Sequence, residues 1–493
     1  MKKILLVNPE TPSTFWSFKN AIQFISKKAS DIPLGLLTVA SMLPQSWEKI
    51  FIDLNIEKLH DKDIEWADYV FLGGMSIQLD SFKKVARRCN GLETPVIAGG
   101  PLVTTEHERL VGIDHLVLGE AESILPKLVE DIEHDNVKAV YQCADFPLLH
   151  TTPAPMWSLL KQNKYAQMSI QYSRGCPFDC EFCSIVLLNG RNPRTKSKAQ
   201  LLAELQSLYD SGWRGNVFIV DDNFIGKKQK LKKEVLPALI DWSQQHQYPF
   251  QFTTEASINL ADDIDLLKLM VKAGFTHIFI GIETPNHESL AECGKAQNQK
   301  LDMIDAVKLL QKEGLRVSGG FIVGFDHDPP SIFEQQISFI QKSGIVTAMV
   351  GLLNAPTGTK LFNRLKSEDR LLNLMSGDNM DGSINFIPKM KYQELIKGYK
   401  QIVTTIYSPK AYYERVKLFL KEYKMPVKIP LRIKPEELHA FFRSIWKLGI
   451  LENGRRYYWK LVFYTLFNHP KKFPTAITMA IYGFHFRKVI QGI

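Results

Sequence analysis

RGCPFDCEFC, residues 174–183, gathers three of the chain's six cysteines, Cys176, Cys180 and Cys183, into a CxxxCxxC spacing. Structural zinc takes four ligands, commonly as two close pairs and often with histidine. No histidine lies between His150 and His246 and no second close pair of cysteines exists, so the spacing disfavours zinc. Thiolates also hold iron–sulfur clusters, and a four-iron cluster needs a ligand on every iron. Three cysteines leave one iron open to a substrate or cofactor, which suits an enzyme better than an electron carrier. Cys89, Cys143 and Cys293 stand alone in sequence and receive no role.

The cysteines begin where the strand MSIQYSRG ends, and NVFIVDDNF, FQFTTEAS, HIFIGIE, RVSGGFIVGF and TAMVGLLNAP read as five further strands. Helical segments separate them, one opened by a capping-box pairing of Ser197 with Gln200, others starting near Lys227, Asp263, Lys300 and Ser331. Six β/α units predict a complete or partial barrel over 166–370, with its chemistry at the C-terminal strand ends. Asp222 and Asn223 follow the second strand, Glu255 the third and Glu283 the fourth, and Gly320 lies in the fifth. A lone carboxylate at such a place often only faces a helix dipole; several in register with a cysteine loop argue for a ligand.

Upstream, β-branched runs alternate with helical stretches from KKILLVNP to a helix near Ala121, the rhythm of a doubly wound parallel sheet over 1–136. Its strand ends carry Gly73, Gly74 and Ser76, then Gly99, Gly100 and Pro101, then Gly119 and Glu120. Glycine there makes a tight turn or lets a ligand approach the backbone. Three such loops on one edge predict a planar or phosphate-bearing ligand. The proline-rich, aperiodic stretch 137–165 reads as a linker.

At 493 residues and 45% hydrophobic the chain suits two or three domains. The opening MKKILLVNPETP lacks a signal-peptide core, and no run of eighteen apolar residues occurs, so a cytoplasmic protein with reduced thiols is expected. The net charge of +9 is concentrated in residues 431–493, where 11 Lys and Arg face 3 Glu. With the rest nearly neutral, no nucleic-acid partner is expected. Helical patterns take over 371–493 and end in aromatic and basic residues interleaved as in RRYYWK. These helices could cap the barrel or lie on an anionic membrane surface. Arg191 and Arg194 read either as a clamp for a carboxylate or phosphate or as a solvated face.

The cysteine motif at the end of a first barrel strand resembles the signature of the radical S-adenosylmethionine (SAM) superfamily. The resemblance implies a 4Fe-4S cluster on Cys176, Cys180 and Cys183 whose open iron chelates SAM, and reductive cleavage of SAM to a 5′-deoxyadenosyl radical. It also implies SAM contacts from Phe182 near the adenine, from Asp222 and Asn223 near the amino group, and from Glu255, Glu283 and Gly320.

A doubly wound domain ahead of such a barrel, with PLGLLTVA from Pro33, AGGP from Ala98 and LGEAE from Leu118, resembles the cobalamin-binding architecture of the cobalamin-dependent radical SAM enzymes. It implies cobalamin held by Ser76, Gly99, Gly100, Gly119 and Glu120. The Asp-x-His-x-x-Gly motif that gives a histidine to cobalt in many corrinoid proteins is absent. RNPRTKS from Arg191, GNVFIVDDNFIG from Gly215, GLLNAPTGTKLF from Gly351 and the helical tail resemble the subgroup that contains the bacterial hopanoid methylases. The implied activity is methyl transfer to an unactivated carbon, for instance of a polycyclic lipid such as a hopanoid. The alternative uses cluster and SAM for cyclisation, oxidation or rearrangement. The implied partners are a small-molecule or lipid substrate and an external reductant such as ferredoxin or flavodoxin. The basic tail adds the expectation of peripheral contact at the inner membrane surface.

Overall fold

Six parallel strands, β1 (Lys3–Asn8), β2 (Glu48–Asp53), β3 (Tyr69–Gly73), β4 (Val96–Gly99), β5 (His115–Leu118) and β6 (Val140–Gln142), make the first sheet in the order β2-β1-β3-β4-β5-β6. The computed structural model describes residues 1–143, 145–426 and 435–492. Ile4, Leu5, Leu6 and Val7 are all buried, as in a strand covered on both faces. Leu5 and Val7 meet helices Leu79–Gly91 and Pro101–Glu106, whereas Ile4 and Leu6 meet Leu34–Met42 and Ala121–Glu133. The order reverses at β1, so a crevice opens beyond the carboxyl ends of β1 and β3.

The stretch 137–165, expected to be a linker, in fact carries β6: Leu116, Val117 and Leu118 pair with Val140, Tyr141 and Gln142. Only Tyr141 of its three side chains is buried, too short a pattern for periodicity to register.

The second sheet contains β7 (Met168–Ile170), β10 (Gly215–Ile219), β11 (Phe250–Glu255), β12 (Phe275–Glu283), β13 (Arg316–Val323) and β14 (Thr347–Leu352). All are parallel and run β14-β13-β12-β11-β10-β7, an open six-stranded barrel. Between β7 and β10 a short antiparallel pair, β8 (Ser173–Arg174) with β9 (Arg194–Thr195), frames the cysteine loop. Several helices between the strands carry a cap at one end or both. Ser197 and Gln200 form the expected capping box, and Ile264–Ala273, Met303–Glu313 and Ile332–Ser343 end on left-handed Gly274, Gly314 and Gly344.

Both edges of the barrel are covered. Residues 28–30 run beside 164–167, with Ala29 bridged to Tyr165, Lys28 N–H donating to Lys164 O at 2.8 Å and Ala166 N–H to Ala29 O at 3.0 Å. On the opposite edge Tyr407, after helix Tyr392–Ile406, accepts from Ala348 N–H at 3.1 Å and donates to Ala348 O at 2.8 Å. Phe15 stacks on Phe486 of helix Phe473–Ile490 at 4.2 Å, and Trp16 meets Phe279 of β12 edge-on at 5.3 Å. The segment leaving β1 thus walls the barrel.

Helix does not take over at 371. Residues 371–391 form an irregular loop with one bridge, Leu371 to Phe386, before Tyr392–Ile406 begins. Its core, SGDNMDGS, places Gly377 and Gly382 at φ 85° and 76°, a turn chemistry that opposes helix.

Candidate active site

Cys176, Cys180 and Cys183 occupy the loop that leaves β8, partly buried and all free thiols. The loop turns at Gly175, φ 96°, where a Cβ would stand 2.9 Å from the carbonyl oxygens of Asn189 and Gly190; only glycine fits. Burial pushes all three thiols up, and burial together with the charges of Cys180 and Cys176 brings Cys183 to about 12. Against this stands buried Lys295, whose positive charge favours each thiolate. Lys295 pairs with Glu283 at the end of β12. Glu283 takes φ 62°, and the β12–β13 register shifts there. Its carboxylate folds back over Gly281, the space a Cβ at Gly281 would need. Among the described residues no three His, Cys, Asp or Glu side chains form a single-ion site.

The acidic residues after β10 serve the loop itself. Asp222 accepts from Gly175 N–H and from Asn189 Nδ2, both at 2.9 Å. Asp221 accepts from Tyr172 N–H at 2.8 Å and from the Ser173 hydroxyl, and burial raises it to about 7. Asn223 reaches Cys176 Sγ at 3.9 Å and Ser257 Oγ at 3.3 Å. Glu255, closing β11, has no hydrogen-bond or ion-pair partner among the described residues. Burial, then the charges of Asp222 and Asp221, push it up to about 8. Of the SAM contacts expected, Asp222, Asn223 and Glu255 therefore gather behind the cysteine loop, and Glu283 is committed to Lys295. Phe182 packs towards Phe325 at 6.3 Å between ring centres. At Gly320 a Cβ would meet the Phe279 ring at 2.8 Å, so that glycine makes room for Phe279.

The carboxyl edges of the two sheets face each other. Glu120, just past β5, accepts from Arg174 Nη1 at 2.6 Å and from Arg194. Glu122 accepts from Arg174 Nη2 at 2.8 Å and from the Thr152 hydroxyl at 2.9 Å. Arg194 is therefore a buried interdomain tie and no solvated face, while Arg191 pairs with Asp179 at the surface. Across this junction the first sheet offers a side-chain-free shelf. At Gly100, φ 96°, a Cβ would lie 3.3 Å from Gly74 O, and Gly119, φ 103°, donates its N–H to Thr104 Oγ1 at 3.0 Å. Gly99 ends β4 beside Val117, with room for ordinary contact only. Ser76 donates to Glu106 at 2.5 Å and is roofed by Gly377, where a Cβ would come 3.0 Å from Ser76 Cβ. The same loop lays Asn379 O against Gly351 of β14, so it touches both halves of the junction.

The family profile described as "Radical SAM superfamily" matches residues 170–340, "B12 binding domain" matches 29–129, and a domain of unknown function, DUF4070, matches 359–493. The chain is 38% identical to an uncharacterised methyltransferase, sll1242, of Synechocystis sp., over 98% of this chain and 91% of that protein. It is 32% identical to the hopanoid C-2 methylase of Rhodopseudomonas palustris, over 93% of this chain and 88% of that one. The chain belongs to the radical SAM methyltransferases that carry a B12-binding domain. In fold it is similar to the cobalamin-dependent SAM radical enzyme OxsB, with TM-score 0.64 and 14% identity over 100% of this chain and 80% of that one. It is also similar to the methyltransferase TsrM of Kitasatospora setae, with TM-score 0.58 and 14% identity over 74% and 76%.

The methyltransferase uses an iron–sulfur cluster, SAM and cobalamin, and its residues fit these groups. Three thiols beside one buried cation suit an anionic cluster, the unpaired Glu255 suits a cationic or hydroxyl-bearing ligand, and the glycine shelf suits a broad ring. Lys295 was invisible to the sequence reading, because no motif marks a lysine brought to the thiols by a separate β/α unit. Arg174 stood in plain sight beside Cys176, but its partners lie in another domain.

Proposed function

We propose that the methyltransferase acts on an unactivated carbon of a polycyclic membrane lipid of the hopanoid class. The observation that carries the reading is the Arg174–Glu120 tie, which turns the cysteine loop and the glycine shelf towards one another across the space where a substrate would sit. Similarity to a hopanoid C-2 methylase that extends through the C-terminal helices supports the substrate class.

When bound, the cluster with SAM supplies a hydrogen-abstracting radical and cobalamin supplies the methyl group. In this reading Cys176, Cys180 and Cys183 hold the cluster, and Lys295 offsets its negative charge. Asp222 and Asn223 fix the loop, while Glu255 and Phe182 meet SAM. Gly99, Gly100 and Gly119 seat the corrin, Ser76 borders it, and Glu120 orients the shelf through the arginines. The loop 376–383 roofs the junction and excludes water.

An acidic electron donor such as flavodoxin or ferredoxin is the proposed reductant. Lys227, Lys228 and Lys230 line a recess of about 500 Å³ together with Pro177, Phe178 and Asn223, next to the cysteine loop. Charge complementarity there favours an acidic partner. The protein is proposed to work in the cytoplasm, in peripheral contact with the membrane.

The test is anaerobic reconstitution with iron, sulfide and hydroxocobalamin, followed by turnover with SAM, a reductant and a hopanoid. A methylated hopanoid is expected. Deoxyadenosine formed without methylation of any hopanoid offered would overturn the substrate class, and a cyclised or oxidised product would favour the alternative chemistry.

A further inference from the structure

Helix Pro435–Ser444 and the π-helical turn Ile445–Leu451 that continues it invert the usual amphipathic order. Ala440, Ser444, Leu448 and Gly449 are buried, whereas Leu438, Phe442, Trp446, Ile450 and Leu451 are 53, 61, 59, 46 and 62% exposed. Side chains four apart drift one way round an α-helix and the other way round the wider π turn. Residues 438, 442, 446 and 450 therefore keep to one face through the junction. Helix Arg455–Asn468 adds Phe463, Leu466 and Phe467, the last 83% exposed. Trp459 joins the two helices: its Nε1–H donates to Gly449 O at 2.9 Å, and its ring stacks on Phe463 at 5.9 Å. Single exposed apolar side chains are ordinary, but a continuous run over adjacent helices marks an interaction surface.

The face is held firmly from behind. Arg443 donates to Gln23 O and to Ser26 Oγ at 3.1 Å, and Lys447 lies 5.2 Å from the centre of the Phe24 ring. On the same helices Arg455, Arg456 and Lys460, with Lys471 just beyond, are exposed and have no ion-pair partner among the described residues. A two-fold contact with a second copy would set these cations against their own kind. An anionic bilayer meets both features, with apolar and tryptophan side chains entering the interfacial layer and cations remaining among the headgroups.

We infer that the face formed by Phe442, Trp446, Ile450, Phe463 and Phe467 seats the protein on the surface of an anionic lipid bilayer. The inference deepens the proposed function by fixing where a membrane lipid is met, and rests on it in that respect alone. No helix among the described residues is long and apolar enough to cross a membrane, so the contact is one of surface seating.

The test is vesicle co-sedimentation of the full chain without SAM or substrate, using phosphatidylcholine alone and phosphatidylcholine mixed with phosphatidylglycerol. Wild-type protein should bind the anionic vesicles roughly tenfold more tightly than the neutral ones at low salt. Combining Phe442→Ser, Trp446→Ser and Ile450→Ser should weaken binding to both by roughly tenfold or more, whereas Arg455→Glu with Lys460→Glu should weaken binding to the anionic vesicles only. A thermal melt shows whether each variant is folded; if the triple variant is not, the two charge substitutions and Phe442→Ser alone decide. Wild-type protein left in the supernatant with both vesicle types overturns the inference. So does binding unchanged in folded variants, or a dimer in light scattering that the triple substitution disperses. Methyl transfer is not read in this assay, so either proposal can fail without the other.

Discussion

Arg174 Nη1 and Glu120 Oε2 lie 2.6 Å apart, and this contact joins the edge of the first sheet to the strand that launches the cysteine loop. Arg174 also serves Glu122, and all three side chains are largely buried. Removing the guanidinium leaves buried Glu122 without a cation, while Glu120 keeps Arg194. Arg174→Ala should cost about 3–5 kcal/mol of stability, measured by urea denaturation of the cofactor-free protein. Arg174→Met combined with Glu122→Gln, which leaves the Glu120–Arg194 pair in place, should recover most of that loss, and equal losses in both variants would argue against the interdomain tie.

Cys180→Ala should abolish deoxyadenosine formation, because two thiolates do not retain a site-differentiated cluster. Cys293 is the informative control. It lies close enough to Cys180 for their charges to interact, and burial raises it to about 12. Cys293→Ala should keep full iron and sulfide content after reconstitution; a loss of iron would make it a ligand.

Glu255 makes stability depend on pH. Its folded value near 8 lies above the ordinary 4.5, so the folded chain keeps a proton that the unfolded chain has released. The contribution is complete below about pH 4.5 and is lost as pH rises through 8. At 1.4 kcal/mol per unit, reduced for incomplete burial, the loss is about 2–3 kcal/mol. Glu255→Gln should raise the Tm at pH 8 relative to wild type without SAM and narrow the gap between pH 5 and pH 8. An unchanged gap would place the Glu255 carboxyl in contact with water.

Reversing charge at the recess beside Phe178 should separate docking from chemistry. Lys227→Glu with Lys230→Glu, both lining the recess, should slow SAM cleavage driven by flavodoxin by about tenfold at low salt, an effect that shrinks as salt is added. Cleavage driven by dithionite should be unchanged, since a small reductant needs no docking surface. Equal slowing with both would trace the effect to the cluster site.

Much of the architecture was legible because parallel strands write themselves as β-branched runs closed by turn residues. Met168–Ile170 and the five later barrel strands, and the Ser197–Gln200 cap, are local signals. Three-residue β6 carried no such signal, and Gly377 and Gly382 turned a stretch that composition had left helical into a loop. At the site the cysteines were readable by spacing alone. The arginine ties and Lys295 depend on side chains brought together from separate elements, which no local pattern records. In the tail the interleaved aromatic and basic residues of RRYYWK stand out in the sequence, whereas Leu438, Phe442, Trp446 and Ile450 do not, because apolar residues four apart in a helix ordinarily face a core.

The hydroxyl of Tyr407 occupies both the donor and the acceptor of Ala348 on the outermost barrel strand. The tail beyond residue 391 therefore supplies, from the same chain, the partner that an edge strand otherwise lacks at Ala348. A chain truncated after residue 391 would open this edge to pairing with a strand of another copy, so the helices that follow the barrel also guard it against self-association.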